Sequence, residues 1–133
     1  MPRSPNSLTA VGIGVTDLDR SVDFYTRVLG MEVTATFNLP HMNEVMVAYP
    51  GRSAVILMNF IDGSTPNYRN NPVKLVFYVT EPVALIEAIR AEGLEITTEP
   101  APNAAMGGVI IGLGKDPDGY VIELIQAPVR VEA

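Results

Sequence analysis

The chain has few residues of the types that commonly carry out chemistry. It contains no Cys and a single His, His41, among 133 residues. The lack of Cys excludes disulfides, zinc ribbons and thiol nucleophiles, and nothing calls for an oxidising compartment. His41 follows Pro40 in a predicted turn between strands. Two interpretations stay open for it: an ordinary exposed histidine, or a rim residue that closes over a ligand.

The charge balance bears on the kind of partner. The formal net charge is −6, and Lys and Arg together number only 9 and are scattered along the chain. Binding to nucleic-acid phosphates needs a basic patch, so we expect no nucleic-acid partner. The acidity is typical of a solubility feature, although it can also favour a cationic ligand.

The sequence contains no segment typical of export or membrane insertion. Residues 1–5 lack the apolar stretch of a signal peptide. No stretch approaches the roughly 18 consecutive apolar residues of a membrane span. We therefore expect a cytoplasmic protein with no membrane partner.

Three sequence signals occur twice. They are Val15-Thr16-Asp17 with Val79-Thr80-Glu81, Gly30-Met31-Glu32 with Gly93-Leu94-Glu95, and Val55-Ile56-Leu57 with Val121-Ile122-Glu123. The offsets are 64, 63 and 66 residues. Such a constant offset predicts a duplicated structural unit, and two related half-sheets form a concave surface on which a small-molecule ligand is expected.

Each copy predicts the order βαβββ within one domain of the α+β class. The first module covers about 8–61, a linker rich in Gly, Pro, Asn and Ser covers about 62–72, and the second module covers about 73–127. Predicted strands are 10–15, 31–37, 44–49, 54–60, 73–79, 94–98, 108–113 and 120–126. Predicted helices run from Thr16, in capping-box spacing with Asp19, to Gly30, and from Pro82 to Gly93. The stretch 99–105 is predicted as a loop.

Two runs within this duplication resemble the vicinal oxygen chelate superfamily. They are DLDRSVDFYTRVLGM at 17–31 and DPDGYVIEL at 116–124. The superfamily includes glyoxalase I, extradiol dioxygenases, methylmalonyl-CoA epimerase and the bleomycin and fosfomycin resistance proteins. The resemblance covers about residues 8–127. It implies the glyoxalase-like fold, a cup-shaped mixed sheet, and a homodimer.

The resemblance also identifies the positions that hold a metal in the metal-dependent members. These four strand positions fall on Ala10, Leu57, Lys74 and Glu123. Only Glu123 can be a ligand, because Ala and Leu have no donor atoms and a Lys ammonium repels a cation. We therefore predict no metal and no other cofactor.

The same resemblance predicts an ion pair between Lys74 and Glu123. The pair can merely replace a lost ion and stabilise the fold. Alternatively, it can polarise a carbonyl, stabilise an enolate or transfer a proton. The resemblance also implies that Ala10 and Leu57 face the ligand. Strand alternation adds Asn59, Val76 and Tyr78 as predicted ligand-binding residues, apolar lining adds Gly12 and Met46, and the rim interpretation adds His41.

Two functions follow from these residues and stay open. The first is a metal-independent isomerase, lyase, hydratase or cyclase that acts on a small apolar or aromatic carbonyl compound, with Lys74 and Glu123 as catalytic residues. The second is a non-catalytic protein that binds or sequesters a small molecule such as an antibiotic.

Overall fold

Two four-stranded mixed sheets form the framework of the protein in a computed structural model that describes residues 4–128. The chain divides into two compact units between Tyr68 and Arg69, inside the stretch predicted as a linker. Each unit has the order βαβββ, so the predicted α+β fold with a duplicated unit is confirmed. Among the described residues, no helix has the length and apolar composition needed to cross a membrane.

The first unit contains strands β1 to β4. They are β1 Ala10–Gly14, β2 Glu32–Asn38, β3 Met42–Ala48 and β4 Ala54–Phe60, in the sheet order β1-β4-β3-β2. β1 pairs in parallel with β4, and the other pairs are antiparallel. The parallel pair is possible because a helical segment connects β1 to the rest of the sheet.

The helix α1 of this unit, Leu18–Asp23, begins at a different residue from the one predicted to cap it. Asp17 is the N-cap, and its side chain accepts a hydrogen bond from the Arg20 backbone N–H at 3.1 Å. The predicted capping box of Thr16 and Asp19 is therefore wrong, because Asp17 has the extended backbone and the reach that the cap position needs. The chain continues as a wider π-helical segment, Phe24–Val28.

The first core lies between this helical segment and one face of the sheet. Val15, Tyr25, Val47 and Leu57 are all fully buried there. Tyr49, at the end of β3, donates its hydroxyl to the Leu29 carbonyl oxygen at 2.5 Å and so ties the end of the helical segment to the sheet.

The second unit contains strands β5 to β8 and the helix α2. They are β5 Lys74–Val79, α2 Pro82–Ala91, β6 Ile96–Pro102, β7 Ile110–Lys115 and β8 Val121–Gln126, in the sheet order β5-β8-β7-β6. α2 lies unusually close to β7, since a Cβ on Gly112 would come within 2.9 Å of Ile86 Cγ1. The absence of a side chain at Gly112 lets the helix approach the sheet.

The predicted loop 99–105 is wrong in its first half. Glu99 to Pro102 belong to β6, which pairs with β7 through two register irregularities. The prolines at 100 and 102 indicated a loop, but β6 is an edge strand, where a missing backbone donor is tolerated. The strand is therefore compatible with these prolines.

A buried carboxylate organises the turn that leads into β8. Asp116 is 1% exposed and accepts hydrogen bonds from the backbone N–H groups of Asp118 and Tyr120, each at 2.9 Å. Gly119 has a φ of +91°, which a residue with a side chain rarely adopts. This turn fixes the start of the strand that carries Glu123.

Candidate functional site

Strand alternation divides the second sheet into a helix-covered face and an opposite face. Leu75, Phe77 and Val79 point towards the α2 side and are buried. Lys74, Val76 and Tyr78 point the other way, and Val76 and Tyr78 are 53% and 69% exposed. We call the opposite face the Lys74 face. It also carries Glu123, which lies beside Val76 in the sheet register.

Lys74 and Glu123 form the predicted ion pair. The Lys74 Nζ lies 3.0 Å from Glu123 Oε1, across the parallel pair of β5 and β8. The two side chains differ in exposure, 52% for Lys74 and 14% for Glu123. Only the carboxylate is largely withdrawn from solvent, so the cost of breaking a fully buried pair does not apply here.

The ammonium of this pair has capacity for a further partner. A Lys ammonium carries three N–H donors, and the contact with Glu123 uses one of them. Within residues 4–128 no second hydrogen bond or ion pair of Lys74 is found. Because this end of the pair is half exposed, Lys74 can donate to an oxygen of a ligand without leaving Glu123.

The duplicated structure shows which residue of the first unit corresponds to Glu123. Gly12 and Val76 are equivalent, since each lies three residues before the start of a matched Val-Thr pair. Gly12 is in register with Ile56, and Val76 is in register with Glu123. Ile56 is therefore the structural counterpart of Glu123.

The prediction that Leu57 faces the ligand is wrong for this reason. Leu57 is in register with Ile13 and Val45 and is fully buried against the helical side of the first sheet. Shifting the pairing of a strand by one residue moves its side chains to the other face. The sequence match of Val55-Ile56-Leu57 with Val121-Ile122-Glu123 is out of register by one residue.

Asn59 shares the face of Leu57, so it lies on the other face of the sheet from Gly12 and Met46. Its side-chain amide donates to the Val15 carbonyl oxygen at 3.2 Å. This bond ties the end of β4 to the strand that leads into the helix. Asn59 therefore has a structural role, and its ligand-binding role stays a prediction.

Other predicted residues of the first unit do lie on one common face. Ala10, Gly12 and Met46 are on the face turned away from the helical segment, together with Ile56 and Met58. A Cβ on Gly12 would come within 3.0 Å of Met58 Sδ, so the space beside the glycine is taken by the thioether. We call this surface the methionine face.

His41 is exposed in the turn between β2 and β3. Its backbone carbonyl accepts a hydrogen bond from Ile61 at 2.9 Å. Nearby Asp62 has a pKa lowered chiefly by its hydrogen bonds with Ser64, with a smaller contribution from the charge of His41. The rim role of His41 stays a prediction.

The methionine face includes one charged residue that sequence reasoning missed, Glu44. It is in register with Phe37 on β2 and with Met58 on β4. Alternation along β3 from Met46 would have indicated it, because residues two apart share a face.

The residues at the metal positions of the superfamily do not fit a metal. Ala10 and Ile56 have hydrocarbon side chains, and Lys74 is a cation, which leaves Glu123 as the single anionic donor. One carboxylate does not hold a divalent ion against water. Among residues 4–128, His, Asp and Glu side chains form no group of three or more that could hold a metal ion.

Comparison with known proteins defines the class to which this fold and site belong. A family model described as the Glyoxalase/Bleomycin resistance protein/Dioxygenase superfamily matches residues 7–124. The chain therefore belongs to this superfamily.

Individual relatives carry more specific names. A probable lactoylglutathione lyase of Vibrio parahaemolyticus is 37% identical over 119 residues, which is 84% of each chain. The lactoylglutathione lyase of Arabidopsis thaliana is 36% identical over 122 residues, covering 84% of this chain and 41% of the relative, so the chain spans about two fifths of that plant protein. Among solved structures, glyoxalase I from Zea mays superposes with a TM-score of 0.79 at 26% identity, over 92% of this chain and 45% of the maize chain.

Proposed function

We propose that the protein is a metal-independent member of its superfamily that acts on a small apolar or aromatic carbonyl compound, with Lys74 and Glu123 as its catalytic residues. The observation that carries the proposal is the contact of 3.0 Å between the Lys74 ammonium and the Glu123 carboxylate. By the resemblance to the superfamily, these two groups occupy positions where its metal-dependent members have ligands. The exposed side chains of Val76 and Tyr78 provide an apolar surface beside them.

The chemistry that suits this pair is proton transfer next to a carbonyl. Lys74 donates a hydrogen bond to the carbonyl oxygen of the substrate and stabilises the negative charge that develops there. Glu123 removes a proton from the adjacent carbon, which gives an enolate and a neutral carboxylic acid. If the carboxylic acid exchanges its proton with water before a proton returns to the same carbon, the α-proton is exchanged with solvent. In a 2-hydroxy carbonyl compound, transfer of the hydroxyl proton to the other oxygen and return of the Glu123 proton to the former carbonyl carbon gives an isomerisation.

Exchange of the α-proton with solvent tests this proposal directly. We would incubate the protein with 2-hydroxyacetophenone and with other small aryl ketones in D₂O, with a chelator present, and follow loss of the α C–H signal by NMR. Lactoylglutathione should be tested in the same set of compounds, because two of the relatives are named lactoylglutathione lyase or probable lactoylglutathione lyase. Wild-type protein should accelerate exchange over buffer for at least one compound.

Substitutions at Glu123 and Lys74 test the role of each residue in the exchange. Glu123→Gln should lower the exchange rate by about 100-fold or more, since a positioned base contributes roughly that factor. Lys74→Met should lower it by about ten-fold or more, the equivalent of about 1.4 kcal/mol of lost stabilisation of the enolate. Exchange by Glu123→Gln at the wild-type rate would contradict the proposal.

Lys115→Met is the matched control. Lys115 flanks Val121 from β7 as Lys74 flanks it from β5. Its ammonium, however, lies 3.7 Å from Glu95 rather than near Glu123. This variant loses the same charge at the same end of the sheet and should exchange at the wild-type rate.

The exposure of Val76 and Tyr78 supports a second candidate, a non-catalytic small-molecule-binding protein. These two side chains can pack against an apolar or aromatic ligand while Lys74 donates to one of its oxygens, without any reaction. Binding of aryl ketones that depends on Lys74, with no exchange for any compound, would favour this candidate over the enzyme.

A further inference from the structure

Two Asp-Gly pairs lie in turns of the chain, and the structure holds them to different degrees. They are Asp62-Gly63, shortly after β4, and Asp118-Gly119, shortly before β8. In such a pair the glycine has no side chain to keep its backbone nitrogen away from the carboxyl group of the preceding aspartate. Attack of this nitrogen on the carboxyl group changes the covalent backbone, so each pair is a candidate modification site.

The pair Asp118-Gly119 is held on both sides of the peptide bond between its residues. The Asp118 N–H donates to Asp116 Oδ1 at 2.9 Å, and the Gly119 N–H donates to the Asp116 carbonyl oxygen at 3.0 Å. The nitrogen that would attack is therefore engaged in a tight turn around the buried Asp116 carboxylate. We expect this pair to be unreactive in the folded protein.

The pair Asp62-Gly63 is open by comparison. Both residues are exposed. Within residues 4–128 no hydrogen bond of the Gly63 N–H is found. A Cβ on Gly63 would meet no atom within 4 Å beyond its chain neighbours. The Gly63 nitrogen can therefore approach the Asp62 carboxyl group, and a ring has room to form there.

One neighbour opposes the reaction at Asp62. Asp62 Oδ1 accepts a hydrogen bond from the Ser64 backbone N–H at 3.0 Å, which is an Asx turn. Hydrogen bonding with the side chain and the backbone of Ser64 lowers the pKa of Asp62, and the charge of His41 makes a smaller contribution. Loss of water from a carboxyl group needs the neutral acid, so Ser64 keeps more of Asp62 in the unreactive, ionised form.

We propose that Asp62-Gly63 is the site at which the folded chain converts aspartate to isoaspartate, and that Ser64 restrains the rate. The Gly63 nitrogen attacks the side-chain carboxyl carbon of Asp62, and the carboxyl hydroxyl group leaves as water with the nitrogen's proton. The succinimide ring then takes up one water. Cleavage of its bond between the Asp62 main-chain carbonyl carbon and the nitrogen gives isoaspartate, with no net change of mass and an added methylene group in the backbone.

The modification lengthens the connection between β4 and β5. Asp62 is the first residue of the stretch 62–72, which the sequence predicts as a linker and which contains no helix or strand. The Asp62-Gly63 pair lies outside both sheets, whereas Lys74 and Glu123 lie within the second sheet. The proposal therefore stands whether or not the protein catalyses proton exchange.

Peptide mapping of aged protein tests the proposal. We would incubate the folded protein for several weeks in mildly acidic buffer, digest it with trypsin and use electron-transfer fragmentation, which distinguishes isoaspartate from aspartate. The two pairs fall in different tryptic peptides, because Arg69, Lys74 and Lys115 lie between them. Isoaspartate should accumulate at Asp62 and stay at background at Asp118. In urea it should accumulate at both, since unfolding releases the turn around Asp116.

Substitutions of serine test the role of Ser64. Ser64→Ala should accumulate isoaspartate at Asp62 several-fold faster than wild type, because it lacks the hydroxyl group that favours the ionised carboxylate. Ser64→Thr keeps a hydroxyl group and should match the wild-type rate. Ser53→Ala is the matched control, since it removes a serine hydroxyl from another exposed position of the first unit, and it should also match wild type.

Isoaspartate that forms in the folded wild-type protein as fast at Asp118 as at Asp62 would overturn the proposal, and so would its absence from Asp62. Neither result depends on a variant. A contrast between the two pairs that persists unchanged in urea would also overturn it, because the contrast would then come from local sequence. An unchanged rate in Ser64→Ala would overturn the role given to Ser64.

Discussion

Ala10 and Lys74 occupy equivalent positions in the two copies of the duplicated unit, and so do Ile56 and Glu123. One copy therefore carries hydrocarbon side chains where the other carries an ion pair. The polar chemistry at these positions is confined to the second sheet. At the scale of single residues, the two copies therefore differ in charge at these positions, which are uncharged in the first sheet and carry a cation and an anion in the second.

Tyr49 allows a prediction about a single hydrogen bond. Its hydroxyl, partly buried, donates to the Leu29 carbonyl at 2.5 Å. Tyr49→Phe removes this donor and leaves the carbonyl without that bond, so the free energy of unfolding should fall by about 1 kcal/mol. Urea unfolding at neutral pH measures the difference, and equal midpoints for variant and wild type would contradict it.

The pH dependence of this effect has a definite sign. Burial raises the pKa of Tyr49 above its ordinary value near 10. A raised pKa in the folded state contributes stability that is fully present below the unfolded pKa and is lost as the pH rises through the folded pKa. The stability advantage of wild type over Tyr49→Phe should therefore shrink above about pH 10. The same unfolding measurements between pH 8 and pH 11, chosen about that value, test this.

At the scale of secondary-structure elements, two close-packed glycines, one in each sheet, predict different tolerances. Gly112→Ala would place a Cβ 2.9 Å from Ile86 Cγ1, in the buried contact between α2 and β7. This overpacking should cost about 1–3 kcal/mol of stability. Gly12→Ala would instead meet the flexible end of Met58, which can move aside, so its cost should be smaller.

Thermal unfolding of the two variants side by side tests this comparison. A Gly112→Ala variant with the wild-type melting temperature would mean that α2 can shift away from the sheet. A larger loss for Gly12→Ala than for Gly112→Ala would contradict the packing argument.

The sequence predicted most of the elements because their periodicities are local. The duplicated Val-Thr signals placed the start of α2 at Pro82 and the start of α1 two residues before Leu18, and all eight strands exist. The extension of β6 through Pro100 and Pro102 could not be read from composition, because tolerance of proline there depends on its place at the edge of the sheet.

The candidate site could be predicted only in part, for a related reason. Lys74, Val76, Tyr78 and Glu123 lie on one face as alternation predicts, and the contact of Lys74 with Glu123 is confirmed. The face of Leu57 and Asn59 depends on the register between β1 and β4, which is a property of two distant segments. A local match between β4 and β8 carries no information about that register.

At the scale of the whole molecule, exposed apolar side chains predict self-association. Val33 and Phe37 on the edge strand β2 are 48% and 46% exposed, and Val76 and Tyr78 are more exposed still. Apolar surface of this kind favours burial against a second chain. We expect a homodimer, and light scattering at micromolar concentration should give twice the chain mass. A monomer under those conditions would contradict it.

The donor chemistry of the site predicts how the protein responds to chelators. We expect purified protein to contain no stoichiometric divalent metal, because Ala10, Ile56 and Lys74 provide no ligand. Elemental analysis measures the content, and the melting temperature should be the same with and without a chelator. One bound equivalent of zinc, nickel, iron or manganese whose removal lowers the melting temperature would refute this.

The register of β4 also decides how this scaffold would tolerate redesign. An engineer who copied the acid of the second copy into the first by sequence alignment would choose Leu57→Glu, which buries a carboxylate at a site with no solvent exposure. That change should cost several kcal/mol and lower the melting temperature sharply. Ile56→Glu, one residue away, places its carboxylate on the face opposite the core, where the side chain is only half-buried, so its cost in stability should be smaller. The register of the paired strands is therefore a more reliable guide than local sequence similarity for transferring a residue from one copy to the other.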